Sequence, residues 1–356
     1  MPINETMPDK YREMDEAELR RRIAAVKERM GKELLILGHY YQRDEVAGFA
    51  DIEGDSFALA KEGAESEAKW IVFCGVHFMA EASVILARPG QRVFLPDMDA
   101  GCPLADMASI EQVEAAWRAL EAAGTAGDFL PITYMNSTAE LKAFCGKKGG
   151  AVCTSSSASR AFEWATGQGK RIFFFPDENL GRNTARSLLM SDDDVALWDP
   201  AVKGGGIDAA KIRGARLIVW KGYCHVHTYF TPEHVGKARA AYLGCRIVVH
   251  PECNPEVVDL SDSQGSTAYL KKYAEDAPDG STVVIGTEIN LVARLARKHP
   301  EKKIVPLARS LCPNMFKISL ADLCWTLENL GQVNEVFVSE DVARDAKLAL
   351  DRMLAI

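Results

Sequence analysis

The stretch KIVPLARSLC, residues 303–312, is an apolar run of strand length that ends in a cysteine. Two other apolar runs end in the same way: LIVWKGYC at 217–224, and RVFLPDM at 92–98, which leads to Cys102. Between such runs lie amphipathic segments of helical length, a pattern typical of βαβ units around a parallel sheet. We therefore predict an α/β fold in which three similar units each close on a cysteine.

The remaining apolar runs complete three groups of similar layout. They are LLILGHYY (34–41), WIVFCGV (70–76), FLPITYMN (129–136), AVCTSS (151–156), RIFFFPDE (171–178), RIVVHPE (246–252) and STVVIGTE (281–288). The spacing repeats, because His39 precedes Cys74 by as many residues, to within one, as His250 precedes Gly286. Ligands bind beyond the carboxyl ends of parallel strands, so units packed around an approximate threefold axis would bring the three cysteines together. The alternative is three unrelated α/β units.

The groups divide the chain into three predicted domains. The boundaries are 22–110 for the first unit, with an N-terminal extension at 1–21, then 111–224 for the second, with an insertion at 191–216, and 225–356 for the third with C-terminal helices. The insertion contains an acidic run and three consecutive glycines, which favours a solvated surface excursion over a lid.

Composition excludes several classes of protein. Of 356 residues, 47% are hydrophobic and 26% charged, which is ordinary for a soluble globular protein of two or three domains. A net charge of −8 argues against a nucleic-acid partner. The charged first 30 residues lack the apolar core of a secretory signal, and no long apolar run indicates a membrane span. We therefore expect a cytoplasmic protein, and its nine cysteines to be free or metal-bound rather than paired in disulfides.

The cysteines that close the groups are candidate ligands of an iron–sulfur cluster. They are Cys102, Cys224 and Cys312, and no two of them have C-x-x-C spacing. A 4Fe-4S cluster held by three thiolates leaves one iron open as a Lewis acid, which favours a dehydratase-like enzyme over an electron carrier. Free cysteines are also among the most buried residues, and for four others we prefer that interpretation: Cys74, Cys145, Cys245 and Cys324.

A zinc site is a second interpretation of the segment CHVH. Cys224, His225 and His227 are ligand types that zinc accepts, but no second Cys/His pair lies close in the sequence to complete a tetrahedral site. We therefore favour His227 as a substrate contact.

Polar side chains follow the first strand of each group. They form three pairs: His39 with Tyr41, Tyr134 with Asn136, and His250 with Glu252. Because side chains alternate along a strand, the two members of a pair point to the same side. A histidine beside a tyrosine or a carboxylate can transfer protons, although a single pair is more often just a polar strand end.

Small hydroxyl residues mark predicted helix starts in all three groups. They lie in GDSFALA, CTSSSAS and QGSTAYL and include Ser56, Ser155, Ser266 and Thr267. Helix N-termini carry unpaired N–H groups that can bind a carboxylate or phosphate, and plain N-capping is the alternative for any one of them. The chain contains no Walker A motif, so a nucleoside triphosphate is not indicated.

Over nearly its whole length the chain resembles the quinolinate synthase family. The resemblance is carried by the segments GHYYQ, GDSFALA, PDMDAGC, YMNSTAE, CTSSSAS, FFPDENLGRN, GYCHVH, HPECNPEVV, GSTAYL, GTEINL and CPNM. It implies three similar three-layer α/β/α units with parallel sheets around a pseudo-threefold axis, and one 4Fe-4S cluster held by Cys102, Cys224 and Cys312.

The resemblance also implies a reaction and its residues. The family condenses iminoaspartate with dihydroxyacetone phosphate to quinolinate, a precursor of NAD, with loss of phosphate and water, and an enzyme that supplies iminoaspartate is a possible partner. Tyr41, Glu252, His39 and Tyr134 would be catalytic. Substrate contacts would fall on His39, Ser56, Tyr134, Asn136, Ser155, His227, His250, Glu252, Ser266, Thr267 and Met315.

Two alternatives use the same cluster. An aconitase-type hydro-lyase would act on a hydroxy acid through the same open iron. An iron–sulfur sensor would be expected to carry a nucleic-acid module or a basic face, and the sequence has neither.

Overall fold

Most of the candidate residues lie at or just after the ends of strands. The structure is a computed structural model that describes residues 6–356, and residues 1–5 of the predicted N-terminal extension lie outside the described residues. The strands are β1 Leu34–His39, β2 Ile52–Gly54, β3 Trp70–Cys74, β4 Arg92–Phe94, β5 Phe129–Tyr134, β6 Ala151–Cys153, β7 Arg171–Phe175, β8 Val195–Trp198, β9 Leu217–Trp220, β10 Arg246–Val249, β11 Ser263–Gln264, β12 Thr282–Gly286 and β13 Lys303–Pro306.

Helices fill most of the connections between these strands. They are α1 Asp9–Arg12, α2 Glu16–Met30, α3 Asp44–Ala47, α4 Ser56–Glu65, α5 His77–Leu86, α6 Ile110–Ala122, α7 Ala139–Lys147, α8 Ala158–Gly167, α9 Glu178–Ser187, α10 Ala209–Gly214, α11 His225–Thr228, α12 Pro232–Ala241, α13 Pro255–Asp259, α14 Thr267–Glu275, α15 Ile289–Lys298, α16 Leu320–Glu328 and α17 Glu340–Ala355. None of the helices described combines the length and hydropathy of a membrane span.

The strands form three parallel sheets. Their orders are β2-β1-β3-β4, β6-β5-β7-β9-β8 and β11-β10-β12-β13, so the first and third sheets have the same topology. Helices pack around each sheet, as expected when parallel strands are joined by helical crossovers. The predicted α/β class with three parallel-sheet units is confirmed, whereas their arrangement around an axis stays a prediction.

Each of the ten predicted apolar runs contains a strand. Central strands such as β1 and β5 are buried along their whole length, which is why they read as continuous apolar runs. No apolar run predicted β2, β8 or β11, which are only two to four residues long.

The 191–216 segment differs from the predicted surface excursion. Its residues Val195–Trp198 form β8, which pairs with β9 in parallel and is largely buried. Gly205 packs on the ring of Trp198 at a φ of 70°, where a side chain would collide with the indole. The prediction of a solvated excursion was therefore wrong for this strand, because the acidic and glycine residues around it obscured a short apolar run.

The chain forms two compact units. The first contains the chain up to Cys102 together with Leu311–Glu340, and the second contains Pro103–Ser310 and Asp341–Ile356. Within the first unit, α16 packs against α2, and the Arg22 guanidinium donates two hydrogen bonds to the carboxylate of Glu328. The second unit holds the sheets built on β5 and β10. The predicted domain boundaries at 110 and 224 stay predictions.

Candidate active site

A buried carboxylate lies between two imidazoles in the second unit. Glu252 follows β10, and its Oε2 lies 2.5 Å from Nδ1 of His227 and 3.6 Å from Nδ1 of His250. The two imidazole rings stack with centroids 4.2 Å apart. Nε2 of His227 lies 3.1 Å from the hydroxyl of Thr287, directly after β12. All four residues are buried, so they form one hydrogen-bonded network shielded from bulk water.

The charge of Glu252 is set by this network. Burial alone would raise the pKa of Glu252, but the charges of His250 and His227, with hydrogen bonds from His227 and from the Tyr134 hydroxyl, outweigh it and lower the pKa. The carboxylate therefore stays ionised at neutral pH. It can accept a hydrogen bond from Nδ1 of His227 and so fix the orientation of that imidazole.

Cys224 lies beside this network. It follows β9 at the N-terminal end of α11, and its Sγ, a His227 nitrogen and a Glu252 oxygen all lie within 4.8 Å of one another. These are donors that a single metal ion could use, which bears on the zinc alternative. Both ring nitrogens of His227 already have hydrogen-bond partners, however, so a metal ion on His227 would have to displace Glu252 or Thr287.

A second buried carboxyl, Asp177, supports the loop that carries Cys224. Asp177 is the N-cap of α9 and accepts a hydrogen bond from the N–H of Leu180 at 2.6 Å. Burial and then the Glu252 carboxylate raise the pKa of Asp177, whereas the N–H groups of Leu180 and Cys224 lower it. The N–H of Glu178 donates to the carbonyl of Gly222 at 2.8 Å, so the turn after β7 holds the turn after β9.

In the first unit, the end of β1 carries the polar residues predicted there. His39 is buried, and its ring meets the ring of Tyr41 edge-on at 4.8 Å. Gln42, which is also buried, has its side-chain nitrogen 3.5 Å from Sδ of Met315. The strand end and the CPNM segment are therefore in contact within this unit.

A helix starts within each of the three predicted segments. Ser56 is the first residue of α4, and Ser266 is the N-cap of α14, with its hydroxyl accepting from the N–H of Tyr269. In the middle sheet, however, α8 begins at Ala158, so Ser155 lies in the turn before it. Of the remaining predicted contacts, Thr267 is the first residue of α14 and Asn136 lies just after β5.

The nine cysteines divide by exposure. Cys102, Cys224 and Cys312 are partly exposed, whereas Cys74, Cys145, Cys153, Cys245, Cys253 and Cys324 are buried. Burial raises the pKa of Cys74 to about 12 and that of Cys324 to about 11, and it also raises those of Cys145, Cys153 and Cys253. Because a thiolate is the metal-binding form, the three partly exposed cysteines are the better donors for a cluster. The predicted burial of Cys74, Cys145, Cys245 and Cys324 is confirmed.

Sequence reasoning missed two residues of the site, Thr287 and Asp177. Each follows a central strand, in the segments GTEINL and FFPDENLGRN. Their position after a strand was the available signal. Their partners lie far away in the chain, and no spacing indicates these contacts.

Known proteins of one kind match the chain. A family model described as quinolinate synthetase A protein matches residues 21–355. A quinolinate synthase of Acidobacterium capsulatum is 50% identical over 356 residues, covering 98% of this chain and 95% of the relative. The quinolinate synthase of Rhodopirellula baltica is 47% identical, covering 97% and 93%. The chain therefore belongs to the quinolinate synthetase A family, enzymes of NAD biosynthesis.

Proposed function

We propose that the chain condenses iminoaspartate with dihydroxyacetone phosphate to quinolinate, with loss of phosphate and water. The observation that carries the proposal is the buried network of Glu252, His227 and His250 beside the thiol of Cys224. Membership of the quinolinate synthetase A family supports it. The reaction forms a ring by successive proton transfers and dehydrations, which a shielded acid–base network next to a Lewis acid suits.

Glu252 and His227 act as the proton-transfer pair of the second unit. The ionised Glu252 accepts a hydrogen bond from Nδ1 of His227, and this pair transfers a proton to a leaving hydroxyl. The Tyr134 hydroxyl donates to Glu252 and fixes the carboxylate in place. In the first unit, Tyr41 and His39 form the corresponding pair.

The substrate carboxylates and phosphate are bound at the helix starts. Ser56 and Thr267 are the first residues of their helices, where N–H groups have no intrahelical partner. The hydroxyls of Ser155 and Ser266 and the amide of Asn136 add neutral hydrogen-bonding groups. His250 and Met315 complete the proposed set of contacts.

Cys102, Cys224 and Cys312 are the proposed ligands of one 4Fe-4S cluster. Their partial exposure and the burial of the six other cysteines support this donor set. When bound, a cluster with three protein ligands supplies Lewis-acid chemistry at the iron that carries no thiolate.

The test is product formation by protein purified without oxygen. Supplied with iminoaspartate and dihydroxyacetone phosphate, it should form quinolinate, and iron and sulfide should be present in the ratio of a 4Fe-4S cluster. Water loss from a hydroxy acid without use of dihydroxyacetone phosphate would support the hydro-lyase instead. Stoichiometric zinc without sulfide would support a single metal ion at Cys224, His227 and Glu252.

A further inference from the structure

Helix α9 contacts the loop that carries Glu252 through one buried side chain. Asn183, on the second turn of this helix, is 2% exposed. Its Nδ2 donates to the carbonyl oxygens of Pro251 and Cys253, each at 2.8 Å. These two carbonyls flank Glu252 in the sequence, so one amide group holds the backbone on both sides of the carboxylate.

The orientation of the Asn183 amide follows from its partners. Both are carbonyl oxygens, so only the NH₂ group can lie between them, and the reversed orientation would bring three acceptors together. The Oδ1 of Asn183 is buried and has no hydrogen-bond partner among the residues described. The two donor bonds to backbone carbonyls thus fix how the Asn183 amide is oriented.

The loop itself is ordered from the other side by His250. The N–H of Glu252 lies 3.3 Å from Nδ1 of His250, and the N–H of Cys253 donates to the carbonyl of His250 at 3.0 Å. These local bonds fix the turn but do not tie it to another helix. Asn183 supplies that tie, across 68 and 70 residues of sequence.

We infer that Asn183 is a positioning residue that holds the Glu252 carboxylate against Nδ1 of His227. The inference rests on the proposed catalytic role of Glu252 only for its effect on the rate. A displacement of about 1 Å at a catalytic group can lower a rate on the order of 10²-fold. Asn183→Ala should therefore lower kcat by roughly that factor while changing KM much less, because the side chain does not contact the proposed substrate residues.

The decisive readout is the proton on Nδ1 of His227. In the full-length, cluster-free protein labelled with ¹⁵N-histidine, this proton should give a downfield ¹H signal because it is bound by a carboxylate. Glu252→Gln identifies the signal by removing it. Asn183→Ala should shift or abolish it, and so should Asn183→Asp, which keeps the shape of the side chain but replaces both donors with an oxygen that faces two carbonyls.

Asn179→Ala is the matched control. Asn179 lies one turn earlier on α9, and its side-chain Nδ2 donates to Oδ1 of Asn254 at 3.5 Å rather than to the backbone beside Glu252. It should keep the signal and kcat. Absence of the signal in the parent would overturn the inference, and so would its retention in Asn183→Ala. If Asn183→Asp has the same kcat as the parent protein, Asn183 only packs against the loop and does not position Glu252. A loss of the signal in a protein that makes no quinolinate at all would leave the positioning intact and reject the proposed reaction.

Discussion

The turns after β1 and β10 have the same backbone hydrogen bonds but present different side chains. Each strand leads into a histidine, His39 or His250, whose Nδ1 lies 3.2 or 3.3 Å from the N–H two residues further on. In both turns the N–H three residues further on donates to the histidine carbonyl. The residue at the second position, however, is Tyr41 in one and Glu252 in the other. Tyr41 is partly exposed and meets one ring edge-on, whereas Glu252 is buried between two rings.

The repeated turn fixes the position of the side chain two residues after the histidine. The burial of that side chain and its charged neighbours then decide whether it donates or accepts a hydrogen bond. The phenol of Tyr41 can donate a hydrogen bond. The carboxylate of Glu252 is held ionised by its neighbours and can only accept. One repeated structure thus provides a donor and an acceptor.

The largest effect should come from the cysteines that follow the last strand of each group. Cys102→Ser, Cys224→Ser and Cys312→Ser should each abolish the cluster, because a cubane left with two thiolates has two weakly held irons. Cys74→Ser and Cys245→Ser should keep it, since both residues are buried and are not proposed ligands. Iron and sulfide per chain in the five anaerobic variants test this, and a full cluster in any of the first three removes that residue from the ligand set.

Glu252→Gln should remove the acceptor that follows β10 and slow the reaction. The change keeps the shape and removes the charge, so the rate of quinolinate formation should fall on the order of 10²–10⁴-fold. Cluster content should be unchanged. Product formation and cluster absorption are measured on the same sample. A parent rate with a full cluster would show that Glu252 is a structural strand-end residue.

Tyr41→Phe should remove the donor that follows β1 and lower the rate by a smaller factor than Glu252→Gln. It removes one hydroxyl from a partly exposed ring, and a loss at the low end of the same range, about 10²-fold, is expected. Tyr40→Phe is the matched control, because it removes the hydroxyl of the neighbouring tyrosine in the same turn. Equal losses in the two variants would contradict a specific role for Tyr41.

The smallest effect concerns two helix caps, which follow β2 in the first sheet and β11 in the third. Asp55 accepts from the N–H of Ala58 at 2.9 Å, and Ser266 accepts from the N–H of Tyr269 at 3.3 Å. Replacing either residue by alanine should lower the free energy of unfolding by about 1 kcal/mol. Urea unfolding of the cluster-free protein measures this. If Ser266→Ala raises KM without a change in stability, its hydroxyl serves the substrate rather than the helix.

Much of the fold could be predicted from the sequence because central parallel strands are buried on both faces. β1, β5 and β7 therefore appear as continuous apolar runs with clear ends. β8 was missed since its four residues lie among acidic and glycine residues. A strand of this length has no periodicity of its own.

The site was only partly predictable. Polar residues at strand ends could be predicted from the sequence, because an apolar run stops where they begin. The bond between Thr287 and His227, by contrast, joins residues 60 positions apart, and the bonds from Asn183 to the Glu252 loop span similar distances. Such contacts depend on how crossover helices pack, which no local pattern of residues specifies.

The lengths of the strands also affect how readily the folded chain pairs with other chains. The outermost strands of the three sheets, β2, β4, β6, β8, β11 and β13, have two to four residues, whereas the inner strands have four to six. An edge strand exposes unpaired N–H and C=O groups that can template pairing with another chain. Edges this short offer few such groups, and β13 also ends in a proline, which lacks an N–H. Short edges thus limit intermolecular sheet growth. The edge of β4 is covered as well, because the N–H of Val336 donates to the carbonyl of Val93 and the N–H of Leu95 donates to the carbonyl of Asn334.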